Sequence, residues 1–192
     1  MINETKFTAG LLTFIFMCFI MYYINSQEKL LNDNIQVHET ELNDLYKQYQ
    51  NIYTLYDSLI NIIDNLPLGS PLDTLEISSD YGWRRSPLRT GWQMHGGTDY
   101  LAAWQDTVYA TGSGVVKRAR WNAGYGRCII IDHTWGYQST YAHLYRYFVR
   151  RGDTVSKGQP IARAGNSGAV TGPHLHYEVR RYGKRANPSL FV

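Results

Sequence analysis

Histidine placement is the feature of this sequence with the clearest chemical meaning. Five of the six histidines follow residue 94, and four of these lie in short motifs. His95 and Asp99 are separated by three residues, a spacing that can direct an imidazole and a carboxylate toward one point. His174 and His176 alternate, which on a β-strand places both side chains on one face. His143 adds another imidazole in the motif Tyr-Ala-His-Leu.

These motifs together contain the donor set of a catalytic metal site. Catalytic zinc usually has three nitrogen or oxygen ligands from the protein and one position left for water or substrate. Two histidines and one aspartate supply three such ligands, and two histidines remain for proton transfer. The sequence contains no HExxH motif and no paired CxxC motifs that would compete for the metal. Each motif alone is weak, and their concurrence predicts the site.

Several other residues have a structural interpretation. His133 is expected in a hairpin turn between strands, and Cys128, in an apolar run, is expected to be a small core residue. The five tryptophans are expected mainly to pack against the core or anchor loops, with a glycan groove as the alternative. Glu178 is expected either to orient a metal-binding histidine or to lie in solvent.

The chain after residue 76 has a β pattern. Short runs rich in Val, Ile, Tyr and Thr are separated by Gly, Asp and Asn, and no stretch of helical periodicity stands out. We therefore predict a mainly β fold, with a compact antiparallel β domain over residues 77–192 that positions the histidine motifs. Residues 67–76, which include a Pro-Leu-Gly-Ser-Pro run, are predicted to be a linker.

The segment before this domain is predicted to be a long coiled-coil helix over residues 26–66. No Gly or Pro occurs between Gly10 and Pro67, so nothing interrupts a helix there. Eleven positions spaced alternately by four and three residues form a heptad seam, of which only His38 is neither apolar nor aromatic. The seam consists of Leu31, Ile35, His38, Leu42, Leu45, Tyr49, Ile52, Tyr56, Leu59, Ile63 and Leu66.

This seam implies a partner. A single helix cannot cover its own apolar face, so we predict a homo-oligomer or a helical partner that pairs through residues 31–66. The apolar face is wider over residues 45–66 than a two-stranded coil needs. Docking of this wider face on a membrane partner or on the β domain near the active site, which would keep the site silent until release, is a further hypothesis.

Residues 1–25 are predicted to form a cytoplasmic tip and a membrane-spanning signal anchor. From Phe7 to Ile24 there is no charged residue, and a helix of that length spans roughly 27 Å, enough to cross the hydrocarbon core. No small-x-small cleavage site follows this run. Because Lys6 precedes the run and an acidic segment follows it, we predict a cytoplasmic N-terminus and a β domain outside the cytoplasm.

The composition limits the number of domains and the class of partner. The 192 residues, 44% hydrophobic and 18% charged, suffice for one domain of ordinary size with accessory segments. Residues 27–66 carry a net charge of −5, whereas residues 67–192 carry +8, mostly as arginine. A basic surface suits nucleic acid, anionic lipid or an acidic polymer such as a cell wall. Two cysteines exclude a disulfide scaffold.

Residues 77–192 resemble the lysostaphin/LytM-type zinc endopeptidases, which cut peptidoglycan cross-links. The motifs that carry the resemblance are Ile77-Ser-Ser-Asp-Tyr-Gly-Trp-Arg84, His95-x-Gly-x-Asp99, Gly126 through Ile131-Asp-His133, Tyr141-Ala-His-Leu144, Gly152-Asp-x-Val-x-x-Gly-Gln159 and Thr171-Gly-Pro-His-Leu-His-Tyr-Glu178. Two departures concern loop detail: Gln-Asp-Thr precedes Val108 where the family usually has Gly-Thr-Pro, and Thr98 replaces a more common aliphatic residue.

The resemblance implies a set of roles. His95, Asp99 and His176 would bind one Zn²⁺ ion, while His143 and His174 would be the catalytic pair that does not bind it. The expected function is a membrane-anchored zinc endopeptidase that hydrolyses peptidoglycan cross-links, with peptide stems and not nucleic acid as the partner. The arginine-rich domain would attract the stem carboxylates.

Two alternatives from other classes fit the sequence less well than the enzyme does. A non-catalytic wall-binding or division scaffold that regulates another hydrolase would not need all five of these side chains. A biotinyl or lipoyl carrier, suggested by the Gly152–Gln159 motif, lacks a lysine at a suitable hairpin tip. The bond that is cleaved and the division of roles between His143 and His174 stay open at this point.

Overall fold

One long helix precedes thirteen β-strands in the computed structural model, which describes residues 2–88 and 90–192, with side chains from residue 11 onward. The helix, α1, spans Ile2–Asp64. The chain forms two compact units, Met1–Asp57 and Ser58–Val192, so the last turns of α1 belong to the same unit as the strands.

Helix α1 is continuous because residues 11–64 contain no Gly and no Pro. Its predicted seam is exposed: Leu42, Leu45 and Ile52 have 66%, 62% and 67% of their surface accessible. Tyr49 and Tyr53, one turn apart, stack with ring centroids separated by 6.5 Å. The uncovered apolar face is the condition that a coiled coil requires, and the pairing itself stays a prediction.

The predicted membrane anchor from Phe7 to Ile24 is not confirmed. Within residues 2–88 and 90–192, no helix has an apolar stretch long enough to cross a membrane. The side chains of residues 7–10, at the start of the predicted span, lie outside the described residues. From residue 11 the uncharged apolar run reaches Ile24, where the polar Asn25, Ser26 and Gln27 follow it.

The strands form an antiparallel β domain, as predicted. They are β1 Ile77–Ser79, β2 Gly82–Arg85, β3 Trp92–His95, β4 Thr98–Leu101, β5 Thr107–Tyr109, β6 Gly114–Asn122, β7 Gly126–Asp132, β8 Tyr137–Ala142, β9 Leu144–Tyr147, β10 Thr154–Val155, β11 Pro160–Ala164, β12 His174–Arg181 and β13 Lys184–Ala186. Short 3-10 turns occupy Ala123–Tyr125, Thr134–Gly136 and Pro188–Leu190.

A large sheet in the order β1-β4-β12-β8-β7-β6-β10 is the framework of the domain, with β13 paired to the end of β12. A second sheet has the order β5-β11-β9, and β2 and β3 form a separate hairpin. Every pairing in these sheets is antiparallel.

The core lies against one face of the large sheet. In β12, Leu175, Tyr177 and Val179 are fully buried in this core. The alternation of side chains along a strand therefore turns His174, His176 and Glu178 to the opposite face. Further core side chains from the large sheet are Tyr100, Val116, Ile129, Ile131 and Tyr141. The same alternation along β12 therefore places apolar side chains in the core and the histidines on the opposite face.

The segment after α1 is fixed to the domain. The backbone N–H of Ser113 donates to the carbonyl of Asp64 at 2.6 Å, and Thr134 Oγ1 donates to the carbonyl of Asn65 at 3.1 Å. Leu72 lies in the core with 4% of its surface exposed. These contacts leave the start of the strand region little freedom relative to the last turn of the helix.

Candidate metal centre and active site

Three strands deliver the predicted ligand residues to one point. His95 ends β3, Asp99 lies in β4, and His176 lies in β12. Strands β4 and β12 are neighbours, and His176 is paired with Asp99 in their register. Gly97, in the turn between β3 and β4, allows a close approach, because a Cβ there would lie 2.4 Å from the carbonyl oxygen of Tyr177 and 2.8 Å from the His176 ring.

The donor atoms of these three residues converge. Asp99 Oδ1 lies 2.7 Å from His176 Nδ1 and 3.1 Å from His95 Nε2, and the two nitrogens are 3.1 Å apart. All three residues are buried, with 6–7% of their surface exposed. Among the described residues, this trio is the group with metal-binding geometry.

The trio fits a zinc ion. Zinc binds histidine nitrogen and carboxylate oxygen at about 2.0–2.2 Å, so neighbouring ligands of a tetrahedral site are about 3.3 Å apart. The three donor separations of 2.7–3.1 Å are slightly shorter than this edge. Two imidazoles and one carboxylate, with room for a fourth ligand on the cleft side, are typical of catalytic zinc sites rather than structural ones.

Hydrogen bonds on the outer side of the two ligand histidines fix their tautomers. His95 donates Nδ1–H to the carbonyl of Asp80 at 2.7 Å, which leaves the lone pair of Nε2 for a metal. His176 has the opposite arrangement, because its Nε2–H donates to Glu178 Oε1 at 3.2 Å and its Nδ1 faces Asp99. Partners of this kind orient a ligand imidazole and raise its basicity.

Glu178 is the centre of this outer network. It is 1% exposed, and its Oε1 also accepts from the Tyr125 hydroxyl at 2.6 Å. Its Oε2 accepts two hydrogen bonds from Arg180, at 2.7 and 3.0 Å. Burial raises the pKa of Glu178, but the hydrogen bonds from His176, Tyr125 and Arg180 outweigh burial and lower this pKa to about 2. Glu178 is therefore ionised.

The carboxylate of Asp99 is held from a second side. Arg84, in β2, donates from Nη2 to Asp99 Oδ2 at 3.2 Å, which directs Oδ1 toward the two imidazoles. Burial raises the pKa of Asp99, but hydrogen bonds and positive charge from His176 and His95 outweigh burial and hold the pKa well below its usual range. Asp99 is therefore ionised and can serve as an anionic metal ligand.

The other two histidines lie beside the trio. The His143 and His174 rings have centroids 4.7 Å apart, and His174 Nε2 is 3.7 Å from Asp99 Oδ1. Both donate Nδ1–H to a backbone carbonyl, His143 to Ser167 at 2.8 Å and His174 to Gly172 at 2.9 Å. In its neutral form each ring therefore carries its lone pair on Nε2.

His143 is held in an uncommon backbone conformation. Its φ is +62°, in the left-handed region, and its N–H donates to the carbonyl of Tyr125 at 2.9 Å. Strained backbone of this kind persists where surrounding contacts determine it, often at active sites. Burial lowers the pKa of His143 to about 4, so the ring is neutral at neutral pH.

The five residues border one open cleft of about 650 Å³. The β2–β3 hairpin forms one wall through Arg84 and Gln93, and the turn around Tyr125 forms another. Residues 169–173 complete the rim. The cleft is open to solvent, and an open cleft of this volume can admit a segment of a polymer.

Comparison with known proteins identifies the family. The sequence profile of Peptidase family M23 matches residues 93–188, half of the chain. This chain belongs to peptidase family M23. The matched segment of the M23 domain includes all five histidine and aspartate residues of the cleft.

Relatives and solved structures of this family resemble the M23 domain. The chain is 42% identical over 122 residues, 63% of its length, to the peptidoglycan DD-endopeptidase ShyC of Vibrio cholerae. A zinc-containing peptidase from Vibrio cholerae matches at a TM-score of 0.58 and 35% identity, over 61% of this chain and 37% of that one. The lysostaphin catalytic domain of Staphylococcus simulans matches at 0.56 and 30% identity, over 61% of this chain and 91% of that domain.

The matches cover only part of the length of each curated relative. This chain covers less than a third of the length of the curated relatives it matches, 28% in the case of ShyC. The comparisons therefore support an M23 metallopeptidase with the fold of lysostaphin.

The structure brings the five sequence-predicted site residues together and leaves the others elsewhere. His133 lies beside the turn Thr134–Gly136, and Cys128 is fully buried, both as predicted. Glu178 contacts His176, which selects the orienting role over the solvent one. Sequence reasoning missed Arg180, which alternates with Glu178 along β12 and was thus detectable. It also missed Tyr125. This residue contacts Glu178 from the turn between β6 and β7, and no local sequence pattern indicates that contact.

Proposed function

We propose that this chain is a zinc-dependent endopeptidase that hydrolyses peptide cross-links of bacterial peptidoglycan. The observation that carries the proposal is the convergence of His95, Asp99 and His176 at the floor of a cleft that two further imidazoles border. The similarity to peptidoglycan DD-endopeptidases and to a zinc-containing peptidase supports the same chemistry. A scaffold protein would have no use for this complete set.

His95, Asp99 and His176 would hold the zinc through Nε2, Oδ1 and Nδ1. Bound zinc would make a water molecule more acidic and polarise the carbonyl of the scissile amide. Arg84 and Glu178 fix the directions of Asp99 and His176, so the chain keeps these donor atoms in place before an ion binds. The resulting site is preorganised.

His143 and His174 move protons in this mechanism. Each presents Nε2 to the cleft because Nδ1–H is bonded to a carbonyl. One of them accepts a proton from the attacking water at Nε2. That ring, now an imidazolium, returns the proton from Nε2 to the leaving amine. The other ring, when it is protonated at Nε2, donates a hydrogen bond to the amide oxygen on which negative charge develops. Groups held by backbone carbonyls keep their orientation through both transfers.

The charge of the domain suits this substrate. Residues 67–192 carry a net charge of +8, and peptide stems of peptidoglycan bear free carboxylates. An arginine-rich surface raises the local concentration of such an anionic polymer, and the effect weakens as salt screens it. Activity on intact peptidoglycan is therefore expected to fall with increasing ionic strength.

The test uses the full chain and purified peptidoglycan. We expect release of free amino groups, loss of this release after treatment with a zinc chelator, and recovery after zinc is added back. His95→Ala is expected to abolish both activity and zinc binding. Full activity of His95→Ala, or activity indifferent to the chelator, would contradict the proposal. Mass spectrometry of the released fragments identifies the cleaved bond.

We also propose that residues 31–66 pair with a second copy of the chain. The exposed seam, with Leu42, Leu45 and Ile52 each more than 60% accessible, supports this proposal. Pairing would present two M23 domains to one polymer. Simultaneous binding of both M23 domains would slow dissociation of the dimer from the wall, with no new contact within either active site.

The domain is proposed to work outside the cytoplasm, where its substrate lies. Attachment to the membrane through residues 7–24 stays a prediction. Protease added to intact spheroplasts is expected to degrade the M23 domain, and cell fractionation measures whether the chain is in the membrane or the soluble fraction. Protection of the domain from added protease would contradict this localisation.

A further inference from the structure

The outer face of the β2–β3 hairpin carries two exposed indoles. Trp83 is 72% exposed and Trp92 69%, whereas the other three tryptophans are 51–57% exposed. The hairpin register pairs Trp83 with Met94 and Arg85 with Trp92. Because paired and alternate residues share a face, both indoles lie on the same side of the hairpin, at diagonally related positions. The two adjacent indole rings form an exposed apolar patch that can serve as a binding surface for a ligand.

The opposite face of the same two strands forms a wall of the cleft. Arg84 and Gln93, which are paired with each other, line the cleft, and Arg84 contacts the ligand residue Asp99 at 3.2 Å. Strand β3 ends in the ligand residue His95. Arg84 and Gln93 thus lie on the active-site side of the hairpin and the indoles on the other side, with Met94 of the indole side also bordering the cleft.

We propose that Trp83 and Trp92 form a stacking platform for the glycan strand of peptidoglycan. This inference rests on the proposed function, because it assigns the sugar part of the same substrate. The flat face of a sugar ring presents C–H groups of partial positive charge, which the electron-rich face of an indole attracts. Arg85, between the indoles in the register, offers hydrogen-bond donors to hydroxyl and amide oxygens at the ring edge.

The size of the patch favours a sugar over a protein partner. An aromatic side chain buries at most about 250 Å², so two indoles exposed to this degree offer about 350 Å². A stable protein interface needs about 800 Å² from each partner. The platform supplies less than half of that area but is sufficient for one or two sugar rings.

The geometry also agrees with a branched substrate. The indoles and the cleft lie on opposite faces of the hairpin, so a substrate that contacts both must pass around the hairpin edge. An extended peptide adds about 3.3–3.6 Å per residue, so a stem of several residues has the length for such a path. A stem attached to a sugar on the platform can therefore pass around the hairpin and place a bond near its far end in the cleft.

The experiment compares two substrates with the full chain. Trp83→Ala, Trp92→Ala and the double variant are assayed on intact peptidoglycan and on cross-linked stem peptides freed of glycan. The matched control is Trp135→Ala, which changes an exposed tryptophan in the turn Thr134–Gly136 before β8, whereas His143 follows β8. We expect the double variant to need about tenfold more intact peptidoglycan for half-maximal rate. Its rate on glycan-free peptides and the behaviour of Trp135→Ala should be unchanged.

Binding to glycan strands from which the stems have been removed separates this proposal from the proposed function. The wild type is expected to cosediment with such strands and the double variant is not, whether or not either of them cleaves peptide. An equal loss on both peptidase substrates would show that the hairpin supports the active site instead. Unchanged glycan binding, or loss of binding to phospholipid vesicles instead of glycan, would overturn the platform.

Discussion

The four imidazoles of the cleft differ in which ring nitrogen donates a hydrogen bond to a group outside the site. His95, His143 and His174 donate Nδ1–H to backbone carbonyls, whereas His176 donates Nε2–H to the Glu178 carboxylate. A carbonyl fixes a tautomer without adding charge, while a carboxylate also stabilises a positive ring. The strongest electron donation is thus directed to His176, which lies between Asp99 and Glu178.

The two imidazoles outside the ligand trio should be separable from metal binding. His143→Ala and His174→Ala are each expected to lower turnover by 10²- to 10⁴-fold, the usual contribution of a general acid or base. Both variants should keep one zinc per chain, measured by elemental analysis, because neither ring supplies a converging donor atom. His38→Ala, on α1, is the control. Loss of zinc from either variant would contradict this division of roles.

The network behind His176 should tune metal affinity. Glu178→Gln keeps the size of the side chain but removes the charge next to His176 Nε2, so zinc affinity is expected to fall by 10- to 100-fold. Tyr125→Phe, which removes only the 2.6 Å hydrogen bond to Glu178, should cause a smaller loss in the same direction. Competition with a fluorescent chelator measures both. Tyr182→Phe, at an exposed turn, is the control, and an unchanged zinc Kd in Glu178→Gln would refute the network.

At the scale of elements, the β3–β4 turn requires glycine at position 97, because there is no space for a side chain there. In Gly97→Ala the new methyl group would meet the Tyr177 carbonyl at 2.4 Å, so β4 and β12 must move apart. We expect a loss of about 1–3 kcal/mol in the free energy of unfolding, together with weaker zinc binding. Gly124→Ala, where no atom lies within 4 Å of the added Cβ, should change neither quantity. Equal melting temperatures for the two variants would contradict the close-packing argument.

The seam of α1 should control self-association. Leu45→Asp places a charge on the exposed seam and is expected to convert a dimer to a monomer, because a charge cannot be desolvated in a coiled-coil core without a partner. Gln50→Asp adds the same charge off the seam and should leave the mass unchanged. Analytical ultracentrifugation of the full chain measures both. A monomeric wild type would refute pairing between copies.

The strands and the metal trio were predictable from sequence, whereas the support around the trio was not. Alternation along His174–Arg181 encodes both the core face and the site face, so the strand and its two histidines follow from one pattern. Arg84 and Tyr125 reach the site from separate hairpins. Their placement depends on how the hairpins fold over the sheet, and no local periodicity records that. The apolar run at 7–24 predicts a membrane span that the described residues do not confirm, so the anchor stays a prediction.

At the scale of the whole molecule, a buried histidine outside the cleft links stability to pH. His133 donates Nδ1–H to the Ser113 carbonyl at 2.8 Å, and its Nε2 lies 2.7 Å from Ser139 Oγ. Burial lowers the pKa of His133 below its ordinary value of 6.5. The unfolded chain therefore binds a proton at mildly acidic pH that the folded chain does not, and the free energy of unfolding must fall as pH drops below 6.5.

His133→Gln tests this linkage. Glutamine retains hydrogen-bonding groups but does not titrate, so the variant should lose less stability than the wild type between pH 6.5 and 5. The difference in slope is at most about 1.4 kcal/mol per pH unit for one proton. Urea unfolding at several pH values, with zinc present throughout, provides the measurement. Parallel pH curves for the two proteins would contradict a neutral buried His133.

Strands carry the ligand trio, but turns form much of the cleft rim. Asp99 and His176 are anchored by ladder bonds between neighbouring strands, whereas residues 86–88 and 169–173, which border the cleft, lie outside every strand. The ligand trio is thus held by strands, whereas the rim segment 169–173 also holds His174 through the Gly172 carbonyl. Grafting the segment at 86–88 from other M23 peptidases onto this scaffold offers a route to new cleavage preferences, whereas a graft at 169–173 must keep an acceptor for His174 in the place of the Gly172 carbonyl.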